Sequence, residues 1–377
     1  MKSLYVILVS LFVSCSLYAQ STLSGTILHD NLVREYSMYV PAVYDGTTPV
    51  PLLLNLHGYG SNNLQQQFYG DFRSIADTAN FIIVHPNGTE YNGSRFWNVG
   101  FFPSTVDDLG FLLALVDSLS QSYNIDPKRI YSTGMSNGGF MSYELACHSD
   151  RIAAIASVTG SMTTIAMENC TPTRAIPALE MHGTADPTVP YNGATGMLGI
   201  EQVVNYWVTN NNCSSEPTVY DITNSNETDG ATAQRFVYSG GSNGSTVEFY
   251  KIQNGGHTWP GAAIVIGTTC MDFSASREIW RFLSQYDRDG ILGYEQLSST
   301  NTIPFSLAPN PAANVLQFKS AQLFEQIEIC NIQGQKVITY LPTSTECAIS
   351  VEQLPRGNYY LRAIGKGHTY TQKWVKQ

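Results

Sequence analysis

The chain has few charged residues and little basic charge. Only 13% of its 377 residues are Asp, Glu, Lys or Arg, and the formal net charge is −10. A surface that binds nucleic acid or an anionic membrane needs the opposite balance, so we expect neither as a partner. A hydrophobic content of 43% over this length is sufficient for one large domain and a smaller one.

Long apolar runs are also missing, with one exception at the N-terminus. Lys2 precedes an apolar run over residues 4–17, and Ala19 stands where a signal peptidase would cut. Residues 1–19 therefore predict a signal peptide. As an alternative, residues 12–15 (Phe-Val-Ser-Cys) loosely resemble a lipoprotein box, although phenylalanine stands where leucine is usual. No later segment is long and apolar enough to span a bilayer.

Cysteine is sparse, with seven residues in the chain. Without Cys15, which lies in the predicted signal peptide, six are left, and an even number in an exported chain suggests disulfides. Their spacings match no zinc site, and we expect neither a metal nor another cofactor. Sequence leaves the connectivity open, and locality favours three pairs: Cys147 with Cys170, Cys213 with Cys270, and Cys330 with Cys347.

Residues 134–138 (Gly-Met-Ser-Asn-Gly) match the Gly-x-Ser-x-Gly pattern of a nucleophile elbow. A β-prone run precedes them at 129–133, and a helix-like run follows at 139–146. A serine between a strand and a helix adopts strained backbone angles, so the positions two residues away must be glycine to avoid clashes. A plain Gly-Ser turn is the alternative, but this context favours Ser136 as a nucleophile.

A serine nucleophile needs a base, and histidine is the usual one. Three later histidines fit poorly, because they end a helix, end an apolar strand or lie in a separate tail: His148, His182 and His368. His257 lies in a loop, residues 254–261, that is rich in glycine and can turn an imidazole into a cleft. We therefore predict His257 as the base that takes the proton of Ser136.

The third member of a triad is an acid that fixes the tautomer of the histidine. In α/β-hydrolases it lies between the serine and the histidine in the chain. Asp186 follows an apolar run and a glycine turn and is itself followed by a proline. Asp221 lies in a polar stretch without a strand-end signal and is the weaker alternative.

The apolar run 50–56 ends in His-Gly-Tyr-Gly at 57–60, where a loop can supply part of an oxyanion hole. The expected donors are the backbone N–H groups of Asn137 and of Tyr59 or a neighbour. Two tryptophans are candidates for the substrate pocket. Trp259 lies two positions beyond the predicted base, and Trp97 follows a strand end on the same side of the sheet. Packing of these tryptophans in the core is the alternative.

The surrounding sequence alternates strands and helices. Apolar runs at 81–84 and 152–158 predict strands, and residues 274–286 predict a closing helix. Ser104 is the predicted cap of a helix whose apolar positions fall between 106 and 119, with Asp107 and Asp108 as helix-terminus charges. This alternation predicts an α/β fold, a mostly parallel sheet with helices on both faces, over residues 20–286.

The composition changes after this domain. Residues 287–303 predict a linker that includes a Ser/Thr/Asn-rich tether. Residues 304–377 then predict a small β-sandwich, because five short runs alternate apolar and polar residues: 315–318, 327–329, 336–338, 348–351 and 359–362.

Five motifs, in order along residues 25–286, resemble those of a known family: 57–60 (His-Gly-Tyr-Gly), 106–111 (Val-Asp-Asp-Leu-Gly-Phe), 134–139 (Gly-Met-Ser-Asn-Gly-Gly), 182–186 (His-Gly-Thr-Ala-Asp) and 255–261 (Gly-Gly-His-Thr-Trp-Pro-Gly). They resemble the poly(3-hydroxybutyrate) depolymerase and feruloyl/acetylxylan esterase family of secreted α/β-hydrolases. The resemblance implies Ser136, Asp186 and His257 as the triad, and ester rather than peptide substrates.

The family resemblance leaves the ester open. Feruloyl or acetyl esters of plant polysaccharide are our first expectation, and a polyhydroxybutyrate-type polyester is the second. A non-catalytic surface protein that binds carbohydrate on the same fold is an alternative of another class. The intact set of Ser, His, Asp and His-Gly-Tyr-Gly argues against it.

The tail has a resemblance of its own. Its landmarks are 308–311 (Ala-Pro-Asn-Pro), 331–337 (Asn-Ile-Gln-Gly-Gln-Lys-Val) and 354–360 (Leu-Pro-Arg-Gly-Asn-Tyr-Tyr). They resemble the type A C-terminal sorting domain of the type IX secretion system. This resemblance implies two things: the type IX secretion machinery is a partner, and the protein is located outside the cell or on its surface. An accessory module such as a carbohydrate-binding sandwich is the alternative.

Overall fold

The computed structural model describes residues 21–292, 305–320, 322–331, 336–365 and 368–377. The chain divides into two compact units between Leu292 and Gly293. The predicted signal peptide, Cys15 and the Ser/Thr/Asn-rich tether lie outside the described residues. Among those that are described, no helix is both long enough and apolar enough to cross a membrane.

The first unit is built on a ten-stranded sheet. Its strands are β1 (Ser21–His29), β2 (Leu32–Val40), β3 (Val50–Leu56), β4 (Ile82–Pro86), β7 (Ile125–Met135), β8 (Ala154–Val158), β9 (Ala178–Gly183), β10 (Thr218–Asp221), β11 (Thr232–Tyr238) and β12 (Val247–Gln253). Two short hairpins stand apart from it: β5 (Thr89–Tyr91) with β6 (Ser94–Phe96), and β13 (Tyr286–Asp287) with β14 (Gly290–Ile291).

The strand order is β1-β2-β4-β3-β7-β8-β9-β12-β11-β10. The six central strands, from β4 to β12, pair in parallel, and the two strands at each edge pair antiparallel. The carboxyl ends of the central strands therefore meet at one edge of the sheet, where α/β proteins bind their ligands.

Seven helices are described: α1 (Asn63–Tyr69), α2 (Arg73–Ala79), α3 (Asp108–Ser122), α4 (Asn137–His148), α5 (Thr164–Asn169), α6 (Ile200–Asn210) and α7 (Ala275–Leu283). Every residue of β3 is buried. Leu52 and Leu54 pack in one apolar cluster with α3, α4 and α6, whereas Leu53 packs in a second cluster with α2 and α7. Helices thus cover both faces, and the predicted α/β-hydrolase architecture is confirmed.

The cap predicted for the helix at 106–119 is wrong. The helix begins at Asp108, and the Asp107 side chain accepts a hydrogen bond of 2.8 Å from the Gly110 backbone N–H. Ser104 instead accepts a hydrogen bond from the Val106 backbone. Asp108 is more than a helix-terminus charge, because it forms a buried ion pair of 2.6 Å with Arg34.

Residues 286–291 belong to the first unit, although we expected a linker from residue 287. The Tyr131 hydroxyl donates to the Tyr286 carbonyl at 2.6 Å, and the Arg288 backbone N–H donates to the Lys128 carbonyl at 2.8 Å. The hairpin β13–β14 closes with a bond from the Leu292 N–H to the Gln285 carbonyl. The first two bonds attach the hairpin to β7.

The second unit contains two antiparallel sheets. One has the order β15 (Phe305–Ala308), β16 (Val315–Ser320), β19 (Glu346–Ser350). The other has the order β18 (Lys336–Tyr340), β17 (Gln326–Cys330), β20 (Gly357–Gly365), β21 (His368–Lys376). Residues from both sheets, including Phe318, Ile329, Leu361 and Trp374, share one buried apolar cluster. This is the predicted β-sandwich.

One of the three favoured disulfides forms. Cys147, near the end of α4, is bonded to Cys170, directly after α5. The other four cysteines are free thiols, so the remaining pairings are wrong. Cys330 and Cys347 lie in opposite sheets of the sandwich, on β17 and β19. Cys213 and Cys270 pack in different apolar clusters of the first unit.

The division at Leu292 predicts where the first unit can be cut. A chain ending after Leu292 should keep the melting temperature that the first unit has in the full-length chain. A chain ending after Tyr286 loses the β13–β14 hydrogen bonds, each contributing about 1 kcal/mol, and should melt several degrees lower. Calorimetry of the two purified truncations measures this difference. Equal melting temperatures would show that the hairpin adds nothing to the unit.

Candidate active site

Ser136 lies at the sharp turn from β7 into α4. Its backbone has φ 55° and ψ −122°, a left-handed conformation that costs a non-glycine residue about 1–3 kcal/mol. Two hydrogen bonds hold this turn. The Ser136 N–H donates to the Val158 carbonyl at 2.8 Å, and the Ser136 carbonyl accepts from the Phe140 N–H at 3.0 Å.

The two glycines of the elbow have no room for a side chain. A Cβ on Gly134 would lie 2.5 Å from the Gly138 carbonyl carbon. A Cβ on Gly138 would clash with the Leu56 carbonyl oxygen at the end of β3. The pattern in the sequence therefore reflects close packing of the elbow against the neighbouring strand, as we expected from the motif.

His257 and Asp186 meet at the same edge of the sheet. Asp186 follows β9, His257 follows β12, and these strands are parallel neighbours. The His257 Nδ1 atom lies 2.7 Å from Asp186 Oδ2. The other carboxylate oxygen, Oδ1, accepts the backbone N–H groups of Thr188 and Val189 at 2.8 and 2.9 Å. Burial alone would raise the Asp186 pKa, but the hydrogen bond and charge of His257 lower it overall.

Ser136 and His257 both lie in the wall of one cavity of about 600 Å³. Helix α1 and the loop after His257 supply most of its apolar lining. The side chains at its mouth are large, hydrophobic and about half exposed: Tyr59, Leu64, Phe68, Ile264 and Ile266. We call Leu64, Phe68, Ile264 and Ile266 the apolar rim.

The loop after β3 runs against the serine. A Cβ on Gly58 would lie 3.4 Å from the Ser136 Cβ, so the backbone before Tyr59 is close to the hydroxyl. His57 holds this loop, because its Nε2 accepts the Gly88 N–H at 3.0 Å and its Nδ1 donates to the Gly58 carbonyl at 2.7 Å. Burial lowers the His57 pKa to about 4, so the ring is neutral. This bracing role was missed in the sequence, where His57 was only part of a motif.

Trp97 does not line the cavity, because it is fully buried. Its indole N–H donates to the His57 carbonyl at 2.9 Å. The Asn137 side chain bonds the Trp97 backbone twice, accepting its N–H at 2.6 Å and donating to its carbonyl at 3.0 Å. Trp97 thus connects the loop after β3 to the start of α4, and the pocket role expected for it is wrong.

Trp259 is also buried rather than a wall of the cavity. Its indole N–H donates to the Ser276 hydroxyl at 3.2 Å, and its ring packs edge-on against Phe72. The Trp259 backbone N–H donates to the Tyr69 hydroxyl at 3.1 Å. The pocket role expected from its position next to the predicted base is therefore wrong. Trp259 anchors the loop that carries His257.

The residues that the sequence analysis rejected as members of the triad do not line the cavity. His148 ends α4 and pairs with Glu144 at 3.4 Å. Asp221 is exposed on the edge strand β10, where it accepts a hydrogen bond from Gln234. His182, predicted to be structural, is buried at the end of β9 behind Asp186. Of these, only His182 adjoins the candidate site.

Two family descriptions match parts of the chain. Residues 306–377 match the "Secretion system C-terminal sorting domain", which confirms the type IX sorting assignment and indicates a location outside the cell or on its surface. Residues 66–174, less than a third of the chain, match the "Prolyl oligopeptidase family".

Three similar proteins carry esterase names. A bifunctional acetylxylan esterase/xylanase of Neocallimastix patriciarum is 27% identical, over 72% of this chain and 36% of its own length. Feruloyl esterase B of Piromyces equi is 28% identical, over 59% of this chain and 42% of its own length. The chain thus spans well under half the length of these two relatives. A probable feruloyl esterase C of Aspergillus terreus is 30% identical, over 52% of this chain and 68% of its own length.

A solved structure supports the fold. The acetyl xylan esterase of Aspergillus awamori aligns with 70% of this chain and 99% of its own, with a TM-score of 0.52 and 13% identity. The 30% identity to the Aspergillus terreus enzyme, of which this chain covers 68%, shows the family. The chain belongs to the feruloyl esterases, carboxylic ester hydrolases with the α/β-hydrolase fold, and its residues 306–377 form a type IX secretion sorting domain.

Proposed function

We propose that the protein hydrolyses carboxylic esters with Ser136 as nucleophile, His257 as general base and Asp186 as the residue that orients the base. The observation that carries the proposal is the apolar cavity that contains both Ser136 and His257. A strained serine at the end of a parallel strand, in the same cavity wall as a histidine held by a buried carboxylate, fits the arrangement that activates a hydroxyl for acyl transfer.

The proposed first step is attack on the ester carbonyl. The Asp186 carboxylate accepts a hydrogen bond from the Nδ1–H group of His257, which leaves Nε2 free of a proton and able to take the proton of the Ser136 hydroxyl. The serine oxygen then bonds to the carbonyl carbon, and the imidazolium returns its proton to the alcohol as it leaves. Water repeats the sequence on the acyl-serine, releasing the acid and restoring the serine.

The negative charge on the carbonyl oxygen needs donors at fixed positions. The Asn137 N–H lies in the first turn of α4, where backbone N–H groups have no acceptor within the helix. The helix dipole also favours an anion there. We assign the second donor to the backbone N–H of Tyr59, on the loop that His57 and Trp97 hold against Ser136. Losing one such donor typically costs about a hundredfold in kcat or more.

The apolar rim favours a bulky acyl group over acetate alone. Apolar side chains that are half exposed in the free protein gain about 25 cal/mol for each Å² that a ligand covers. A feruloyl group offers an aromatic ring for that purpose, whereas an acetyl group offers one methyl. We therefore propose feruloyl esters of plant polysaccharide as the main substrates, with acetyl esters as poorer ones.

A polyester is the second candidate, and the exposure of the apolar rim supports it. Leu64, Phe68, Ile264 and Ile266 stand at the mouth of the cavity, each more than half exposed, so a solid apolar surface could lie against them. A non-catalytic carbohydrate-binding protein would have no need for the strained backbone of Ser136. The family of esterases to which the chain belongs also argues against it.

Replacing the nucleophile tests the mechanism. Ser136→Ala should lower kcat on p-nitrophenyl acetate by about a millionfold, because the residual rate no longer includes covalent catalysis. A fluorophosphonate probe should label Ser136 in the unmodified protein. Ser149→Ala, at the other end of α4, is the control and should keep full activity. An active S136A protein, or labelling at another serine, would refute the mechanism.

Substitutions in the apolar rim test the acyl group. Phe68→Ser and Ile266→Ser should each lower kcat/KM for methyl ferulate by about tenfold and change the acetyl ester by less than threefold. Leu28→Ser, at another exposed apolar residue on β1, is the control. Equal losses on both esters would contradict an aryl-binding rim. A loss confined to insoluble polyhydroxybutyrate would favour the polyester instead.

A further inference from the structure

A second histidine lies behind the proposed triad. His182 and Glu180 lie two residues apart on β9 and are both buried. The His182 Nδ1 atom is 3.0 Å from Glu180 Oε1. Its Nε2 atom is 2.9 Å from the Val189 carbonyl and 3.5 Å from Asp186 Oδ2. That carboxylate oxygen therefore has an imidazole nitrogen from His257 and one from His182 within 3.5 Å.

The neighbours of His182 determine where its protons are. The Val189 carbonyl can only accept a hydrogen bond, so Nε2 must carry a proton. Nδ1 faces the Glu180 carboxyl group, whose other oxygen accepts the Tyr143 hydroxyl at 2.8 Å. One proton is therefore shared between Nδ1 and Glu180 Oε1, and the His182–Glu180 pair is neutral as a whole.

The charge of Glu180 favours the proton on the imidazole. Burial by itself lowers the His182 pKa, but the hydrogen bond and charge of Glu180 raise it above the ordinary value. Burial raises the Glu180 pKa, which opposes this protonation, whereas the nearby Asp186 carboxylate raises the His182 pKa and favours it. With the proton on Nδ1, the His182 imidazolium lies 3.5 Å from Asp186 Oδ2. A buried carboxylate without such neighbours would be costly, because its charge has lost its water.

We propose that His182 is a positioning residue for the proposed triad: backed by Glu180, it fixes the Asp186 carboxylate that in turn orients His257. The role rests on the proposed function, and it requires no contact between His182 and the substrate. His182 is buried and is not part of the cavity wall, which fits action through Asp186.

Other ionisable groups around His182 have their own partners. Lys251 lies opposite His182 on β12, and its Nζ pairs with Glu201 Oε1 at 3.0 Å. The Tyr191 ring packs 6.3 Å from the imidazole, and its hydroxyl donates to the same Glu201. The groups to consider for the pH dependence are Glu180, Asp186, His257, Tyr143, Tyr191, Lys251 and Glu201. Among them, Glu180 and Asp186 are the carboxylates closest to the ring.

Two substitutions separate the charge of His182 from its hydrogen bond. His182→Gln keeps an N–H donor near Val189 and Asp186 but cannot carry the positive charge. His182→Leu removes both. We expect H182L to lower kcat by about a hundredfold, the size of effect that a small misplacement of a catalytic group produces. We expect H182Q to lose only a few-fold. KM should be unchanged in both, because the cavity is intact.

The pH profile provides the readout that a purely structural role would not change. Both variants lose the positive charge of His182 beside Asp186. The Asp186 carboxylate then stabilises the protonated form of His257 more strongly. The acidic limb of the kcat/KM profile on p-nitrophenyl acetate should therefore move to higher pH in both variants. Rates are expressed per active site after titration with the fluorophosphonate probe, so that unfolded protein does not enter the comparison.

His85→Gln is the matched control, since His85 is another fully buried histidine, on β4. It should lower stability without moving the acidic limb. If H182Q and H182L keep the unmodified kcat and profile per active site, His182 has no positioning role, and the proposal is wrong. If instead S136A retains activity, the proposed function itself has failed. The two failures are thus distinguishable.

Discussion

The strained backbone of Ser136 is the constraint on which the site depends. Its positive φ persists because β7, the end of β3 and α4 are packed so closely that Gly134 and Gly138 cannot carry a side chain. Energy of about 1–3 kcal/mol is stored in this turn, and the surrounding sheet holds it there. The same packing places the first turn of α4 next to the loop after β3. The proposed nucleophile and both proposed oxyanion donors are therefore positioned by a single contact region.

The second requirement is to keep a buried carboxylate charged. Asp186 accepts hydrogen bonds from two backbone N–H groups and from His257, and the His182 imidazole lies 3.5 Å from its Oδ2. Leaving such a charge unpaired would cost several kcal/mol. The network reaches back through Glu180 to Tyr143 on α4, the helix that follows the nucleophile. The proposed acid and the helix that follows the proposed nucleophile are thus connected through the interior of the protein.

Local sequence patterns predicted the elements that carry the chemistry, since the elbow, the strand ends and the alternation of strands and helices depend on neighbours in the chain. Contacts between distant residues could not be read from such patterns. Trp97 was expected in the pocket, but Asn137 and the His57 carbonyl bind it in the interior. Ser104 was predicted as the helix cap, but Asp107, three residues later, caps the helix. Two of the three cysteine pairings failed for the same reason: Cys330 and Cys347 are close in sequence, but the fold places them on opposite sheets.

The apolar rim was the least visible part of the site in the sequence. Its members come from α1 and from the loop after His257, about two hundred residues away in the chain, and neither segment has a hydrophobic period that marks a binding surface. Single exposed apolar residues are common on proteins and need no explanation. Four of them around a cavity that holds Ser136 and His257 are different, because they lose contact with water when an apolar group enters. Their exposure in the free protein is therefore best explained by a substrate that covers them.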